Sequence, residues 1–463
     1  MAVKVVKGGI REAIRLSGFP EPEFPYSPGI RAGGWVFVSG QLGGDLVHGL
    51  SPEARHNPAN PYLSDPVELQ SWVIMRNLSQ VMEAAGCDIS RDSVRIQQWR
   101  VAPHPTQEEF ELGSTWTGLS VTPYYRARNS YLQEPRPAST GMGVRKLMLR
   151  DALIAVDMIG IVPDGGPTKT GIDVPQELPK PLAGYSPAIR CGDWVFLAGE
   201  IATDWRGDFE SEQHRGPASA LAPEARVNPY FWYGSPIEQQ TEYVLHKLEL
   251  IAKAAGTDLA NCVKANVYIG HPKDYEGMDR IWRQWFADDP PARVVIPLMG
   301  LGGMGCRVEI DMILLAGGSS LRRRTISTPD ALEPLGHEPQ AVQAGNFLFF
   351  STQLAADRRG VLPGLERDPE VPYSREPARL QARKLFTNLA AICQAAGTTL
   401  DNLCQVKEFY QDLRSFAGVR DEWRQQFASE VPASTSVEVG GPLITPGCEL
   451  LLDVIAFVPS TPA

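Results

Sequence analysis

One ordered set of three phrases occurs three times in this chain. A repeat of that kind means copies of one unit that pack on each other. The first phrase reads as a strand: Gly34-Trp35-Val36-Phe37-Val38-Ser39-Gly40-Gln41, then Asp193-Trp194-Val195-Phe196-Leu197-Ala198-Gly199-Glu200, then Asn346-Phe347-Leu348-Phe349-Phe350-Ser351-Thr352-Gln353. The second is a helix ending in Ala-Ala-Gly, at Gly86, Gly256 and Gly397. The third is Pro-Ala-Ser or Pro-Ala-Arg opening a strand pair, at Pro137, Pro291 and Pro432. The copies span 22–163, 181–316 and 334–459.

Local signals set the elements within each copy. Asp65-Pro66-Val67-Glu68 and Ser235-Pro236-Ile237-Glu238 each give an N-cap, a proline at the first helical position and an acid at the third. The third copy's helix starts at Glu376-Pro377, and the three glycines suit left-handed helix ends. Second helices are expected at Tyr275–Phe286 and Phe416–Phe427, with a strand such as Val263–Tyr268 between the helices. Each copy reads β-β-β-α-β-α-β-β, an α+β arrangement. Pro163–Ala183 and Gly317–Glu333 read as surface linkers, with Arg322-Arg323-Arg324 a solvated basic stretch in the second.

The 463 residues are enough for three cores, one per copy. A formal charge of −10 argues against a general nucleic-acid binder or an anionic-membrane binder, which need a basic face. Seven cysteines without a CxxC point to reduced thiols and a cytoplasmic protein. No apolar run reaches the roughly 18 residues of a membrane span.

Chemistry concentrates at the third phrase. Pro291-Ala292-Arg293 precedes an apolar strand, and Asp311 lies in the strand Val308-Glu309-Ile310-Asp311. Guanidinium grips carboxylate through paired charge-assisted bonds, so Arg293 is the expected anchor for a small acid, and Asp311 the group that orients a water beside it. The other copies place Ser139-Thr140 before Asp157, and Ser434-Thr435 before Asp453. Those hydroxyls suit neutral ligands or purely structural copies. Gly300–Gly305 lies between strands and reads as a hairpin loop, not a phosphate cradle. The seven histidines show no metal spacing, and Cys306 and Cys448 read as small buried residues. Loops at Pro58–Tyr62, Asn228–Tyr233 and Pro369–Tyr373 are candidates to cap pockets, Phe231-Trp232-Tyr233 among them.

Tyr185-Ser186-Pro187, the strand from Gly192 to Glu200, the Ala-Ala-Gly helix, Asn261-Cys262-Val263-Lys264, Pro291-Ala292-Arg293 and Val308–Asp311 together resemble the RidA/YjgF/YER057c/UK114 family. The likeness covers nearly all of 181–316 and, more weakly, the other two copies. It implies a chorismate mutase-like fold of RidA-like repeats. The three would form a pseudo-trimeric β-barrel with helices outside and pockets between repeats. It also implies hydrolysis of small enamine or imine carboxylates to ammonia and a 2-oxo acid, with neither metal nor organic cofactor. Arg293, Tyr185 and Tyr26 match its substrate-binding positions. Asp311 stands where many deaminating members have glutamate, and its side chain is shorter by one methylene. In the third copy the tyrosine position is Glu338, beside His337.

The expected function is a cofactor-free imine or enamine deaminase acting on a small carboxylate-bearing molecule, with no nucleic-acid or membrane partner. Alternatives are an oxo-acid-binding protein of the same fold without turnover, or another hydrolase of a ring or amide substrate. A pseudo-trimer closes its own symmetry, so a monomer or weak homo-oligomer is expected.

Overall fold

The computed structural model describes residues 11–459 except 17, 102–120, 164–165, 167, 180–182, 204–220, 229, 231–233, 299, 304, 374 and 428–429. The first part holds β1 (Glu12–Ile14), β2 (Gly29–Ala32), β3 (Trp35–Gln41), α1 (Pro66–Ala84), β4 (Ser93–Val101), α2 (Thr122–Tyr131), β5 (Ala138–Val144) and β6 (Ile154–Ile161). The second holds β7 (Thr170–Ile172), β8 (Ala188–Cys191), β9 (Trp194–Ile201), α3 (Pro236–Ala254), β10 (Cys262–Ile269), α4 (Tyr275–Trp285), β11 (Ala292–Pro297) and β12 (Val308–Leu315). The third holds β13 (Arg323–Ile326), β14 (Ala341–Ala344), β15 (Phe347–Phe350), α5 (Pro377–Ala396), β16 (Leu403–Tyr410), α6 (Phe416–Gln426), β17 (Ala433–Glu438) and β18 (Leu450–Phe457).

The expected helix starts are present. Asp65 accepts from the amides of Val67 and Glu68, and Ser235 from that of Glu238. Gly86, Gly256 and Gly397 all take positive φ at the helix ends. Glu376 makes no side-chain cap. Three elements stand where the sequence reading assigned none. Helix α2 is the second helix expected of each copy, at a place not assigned in the first. Strands β7 and β13 lie inside the expected linkers and extend two sheets as edge strands. Arg322 and Arg324 are exposed, as a solvated stretch requires, while half-buried Arg323 donates to carbonyls of Ala260, Asp289 and Pro290 and Arg324 to that of Ala396.

The main strands fall into three sheets that share one order, β1-β2-β3-β6-β4-β5, β7-β8-β9-β12-β10-β11 and β13-β14-β15-β18-β16-β17, and Lys146–Leu147 of the first part extends the third sheet past β17. In each, the last two strands are parallel and the rest antiparallel. The expected barrel is therefore not one closed sheet. The sheets meet edge to face: β5 packs on β9, β11 on β15, and β17 on β3. Arg293 N donates to Ser351 Oγ at 3.1 Å across one junction, and Ser434 N to Ser39 Oγ at 2.9 Å across another.

The recurring Trp/Phe strands explain why the sheets converge. Trp35 lies 5.0 Å from Trp194 and 4.5 Å from Phe347, ring centre to ring centre, in a buried cluster drawn from all three sheets. Beyond it the three repeated aspartates point inward, each against a cation of the neighbouring sheet. Asp311 meets Arg95 at 2.5 Å, Asp453 meets Lys264 at 2.7 Å, and Asp157 meets Lys407 at 3.0 Å. Burial alone would raise Asp453, but Lys264 and Lys407 outweigh it and hold the carboxyl below its usual range. A depressed carboxyl stabilises the fold above its unfolded pKa of about 4 and loses that contribution as pH falls further. Stability measured by urea unfolding is accordingly expected to drop below about pH 4, with a shallower acid slope in Asp453→Asn. No helix among the described residues is long and apolar enough to cross a membrane.

Candidate functional site

The four residues singled out by sequence do not form one site. Arg293 is fully buried at the junction of the second and third sheets. Its Nε donates to Glu338 at 3.1 Å, its Nη2 donates to Asp279 at 2.5 Å and also reaches Glu338, and its guanidinium lies 4.9 Å from the Trp282 ring. A Cβ at Gly336 would strike both the guanidinium and Glu338. The anion hook is thus filled by the chain's own carboxylates. Asp311 sits in the interior with Arg95, away from Arg293. Its oxygens also receive Gln97 and Asn266 at 3.2 Å and Tyr268 at 3.3 Å. Tyr26 lies at the junction of the third and first sheets, beside Ser434, Thr435 and Arg420, and burial raises its pKa. Tyr185 lies at the junction of the first and second sheets, where burial, then Glu200 and Glu309, push its pKa up.

The physical reason is the edge-to-face packing. Each sheet's last strand faces the sheet that follows it, whereas the strand carrying the aspartate faces inward and toward the sheet before. Arg293 on β11 therefore looks to the third sheet. Asp311 and Glu309 on β12 look to the first.

Glu309 was missed by the sequence reading, although a signal was available. Its counterparts in the other copies are Ala155 and Leu451, so it is the charged member of that trio. It is buried, and burial, reinforced by Asp311 and Glu200, raises its carboxyl to about 8; Arg100 and an amide bond from Gly302 pull the other way. Its Oε2 has no hydrogen-bond partner among the described residues. Across the junction stands Thr140, where the second sheet has Val294. A Cβ at Gly199 would run into both Glu309 Oε1 and Thr140 Cγ2, so the two side chains converge over a bare stretch of backbone. Gly199→Ala is expected to cost about 1–3 kcal/mol, as overpacking does, measurable by urea unfolding.

A second departure lies behind Glu309. Lys247 and Glu200 form a buried pair at 2.6 Å, where the other copies carry Asn77 with Gln41 and Asn388 with Gln353. The first junction thus holds a carboxyl that is largely protonated near neutrality, a buried ion pair, hydroxyls and Arg100. That set can donate and accept a proton in a site of low polarity.

Other expectations fall away from this site. Tyr62, Tyr230 and Tyr373 are almost fully exposed, so they do not cover pockets. His104, His214, Met304 and Phe231-Trp232-Tyr233 lie outside the described residues. None of the seven cysteines is in a disulfide and all are buried, and burial drives the Cys306 and Cys448 thiols up to about 12, far from nucleophilic. Among the described residues no group of three or more His, Cys, Asp or Glu is placed to hold a metal ion.

The family model described as Endoribonuclease L-PSP matches residues 230–316 and 328–458. A RutC family protein of Pyrococcus horikoshii is 30% identical over 126 residues, 27% of this chain and 82% of that protein. The 2-iminobutanoate/2-iminopropanoate deaminase of Dermatophagoides farinae is 32% identical over 117 residues, 25% of this chain and 84% of that protein. Among solved structures, RidA from the Antarctic bacterium Psychrobacter sp. is 29% identical, covering 29% of this chain and 99% of that one at a TM-score of 0.24. Identity of 30% or more across over four-fifths of these relatives shows that the chain belongs to the RidA/YjgF/YER057c/UK114 family.

Proposed function

We propose that this chain is a cofactor-free hydrolase that deaminates a small imine or enamine carboxylate, with its chemistry at Glu309. In this reading residues 22–163, 181–316 and 334–459 are three RidA-like repeats arranged as a covalent pseudo-trimer, and the three sheet junctions are its pockets. The observation that carries the reading is a carboxyl at a junction, pushed up to about 8 by burial, with one oxygen that has no hydrogen-bond partner among the described residues. The name of the mite deaminase supports the substrate class.

The steps balance without a co-reactant. Protonated Glu309 gives its proton to the imine nitrogen while water adds to the imine carbon. The resulting carboxylate takes the proton that the water sheds. Glu309, protonated again, then gives that proton to the amine nitrogen and takes back the hydroxyl proton as the carbinolamine collapses, so that the C–N bond breaks, a C=O bond forms, and ammonia and a 2-oxo acid leave. Arg100 supplies the positive charge at this junction, Thr140 and Tyr185 supply hydroxyls, and Asp311 acts through the inner ion pairs.

Ammonia release from freshly generated 2-iminobutanoate tests this directly: acceleration over the buffer rate is expected. A second reading, oxo-acid binding without turnover, draws on the engaged state of Arg293. Stabilisation by 2-oxobutanoate in a thermal melt, with no acceleration of ammonia release, would establish it and sink the first.

A further inference from the structure

One further phrase recurs that the chemistry does not use. Pro52-Glu53-Ala54-Arg55-His56-Asn57-Pro58 in the first copy is matched by Pro223-Glu224-Ala225-Arg226-Val227-Asn228-Pro229 in the second. In both, the arginine folds back and donates Nε at 3.0 Å and Nη2 at 2.6 Å to one carbonyl, that of Leu50 and that of Leu221. In both, the asparagine Oδ1 then accepts an amide two residues on, from Ala59 at 2.9 Å and from Tyr230 at 3.0 Å. In the third copy Asp368 accepts from Glu370 in the same way at 2.9 Å. Each of these turns leads to a tyrosine, and then to the start of the long helix of its copy.

The turns hold these tyrosines out in water. Tyr62 is 98% exposed, Tyr230 89% and Tyr373 95%, and Leu63 beside Tyr62 is 83% exposed. Residues 57–64 carry no charge, which suits the centre of a contact surface. Loops already pinned by their own hydrogen bonds lose less freedom when something covers them. The sheets pack on each other cyclically, β5 on β9, β11 on β15 and β17 on β3. One rotation therefore relates the copies, and the three tyrosines stand at three points around one end of the molecule.

We propose that this end of the molecule docks face to face on the same end of a second copy of this chain, through Tyr62, Tyr230 and Tyr373. An occupant that meets all three tyrosines at once is best matched by a surface that repeats around an axis, and a second copy has one. A twofold axis across the face makes the contact isologous, so it closes at two chains. Buried aromatics contribute about 150–250 Å² each, so three give roughly 450–750 Å² per copy. Leu63 and half-exposed Val371 add to this, which brings it near the roughly 800 Å² per partner of a stable pair. An interface at that lower limit pairs in the micromolar range. The pairing does not depend on turnover at Glu309.

The test is sedimentation equilibrium of the full chain from about 1 to about 100 µM, the span over which mass action shifts such a pair. The mean mass is expected to rise with concentration from 50.7 kDa toward twice that value and to stop there. The combined variant Tyr62→Ser, Tyr230→Ser, Tyr373→Ser should stay at the mass of one chain throughout. Its melting temperature at low concentration should match wild type, since the rings are exposed in the single chain. One-chain mass for wild type at every concentration, a mass that climbs past two chains, or undiminished pairing in the combined variant overturns the proposal; the first of these would leave the face to a partner of a different kind.

Discussion

Glu309→Gln is expected to lower kcat/KM for ammonia release by about 10²–10⁴-fold, the usual scale for removing a positioned acid–base group. The fold should survive, because glutamine is isosteric with the neutral carboxyl that the site already favours. Burial holds that carboxyl protonated up to about 8, so wild-type activity should fall as pH rises through that value. The variant's residual activity should lack that limb. Stability gives an independent sign. The unfolded chain loses this proton near 4.5 and the native chain near 8, so between those values the unfolded state binds fewer protons. Wild-type stability should therefore decline across that window as pH rises, and the glutamine variant should not share the decline. A variant with full activity and an unchanged alkaline limb would remove Glu309 from the chemistry.

Arg293→Met is expected to cost about 3–5 kcal/mol in urea unfolding, the range for breaking a buried ion pair from one side. Glu338, which is 8% exposed, would be left facing Asp279 with its cation gone. Asp279 keeps Arg283 at 2.8 Å, so Glu338 bears most of the loss. Adding Glu338→Leu to Arg293→Met should recover much of the stability, since the unpaired charge is then removed. A single variant within about 1 kcal/mol of wild type would mean that the pair is open to solvent, and that Arg293 is free to take an external carboxylate after all.

These two outcomes separate what the sequence makes legible from what it does not. The aromatic strands, the capped helices and their glycine ends are local patterns, and each stands where its residues placed it. The place of helix α2 is hidden because Thr122–Tyr131 is polar and tyrosine-rich, without a clean apolar stripe. Strands β7 and β13 were hidden because edge strands need few apolar residues, and Pro- and Gly-rich surroundings look like linker.

The site failed to read for a different reason. Arg293 and Asp311 are near in sequence and lie on strands of one sheet, yet they face different neighbours. That depends on how the sheets meet, which no spacing within one copy reports. The aspartate recurs in all three copies because each closes an ion pair with the adjacent sheet. The departure from the repeat, Glu309 against Ala155 and Leu451, carries more about function than the recurring aspartates do.

The most direct test of where the chemistry lies is a crystal structure of the protein soaked with 2-oxobutanoate, the oxo-acid product of 2-iminobutanoate hydrolysis. The ligand is expected at the first junction, its carbonyl carbon beside Glu309 and Thr140, with Arg293 still bound to Glu338 and Asp279. A ligand carboxylate on Arg293, with Glu338 displaced and the Glu309 junction empty, would contradict it.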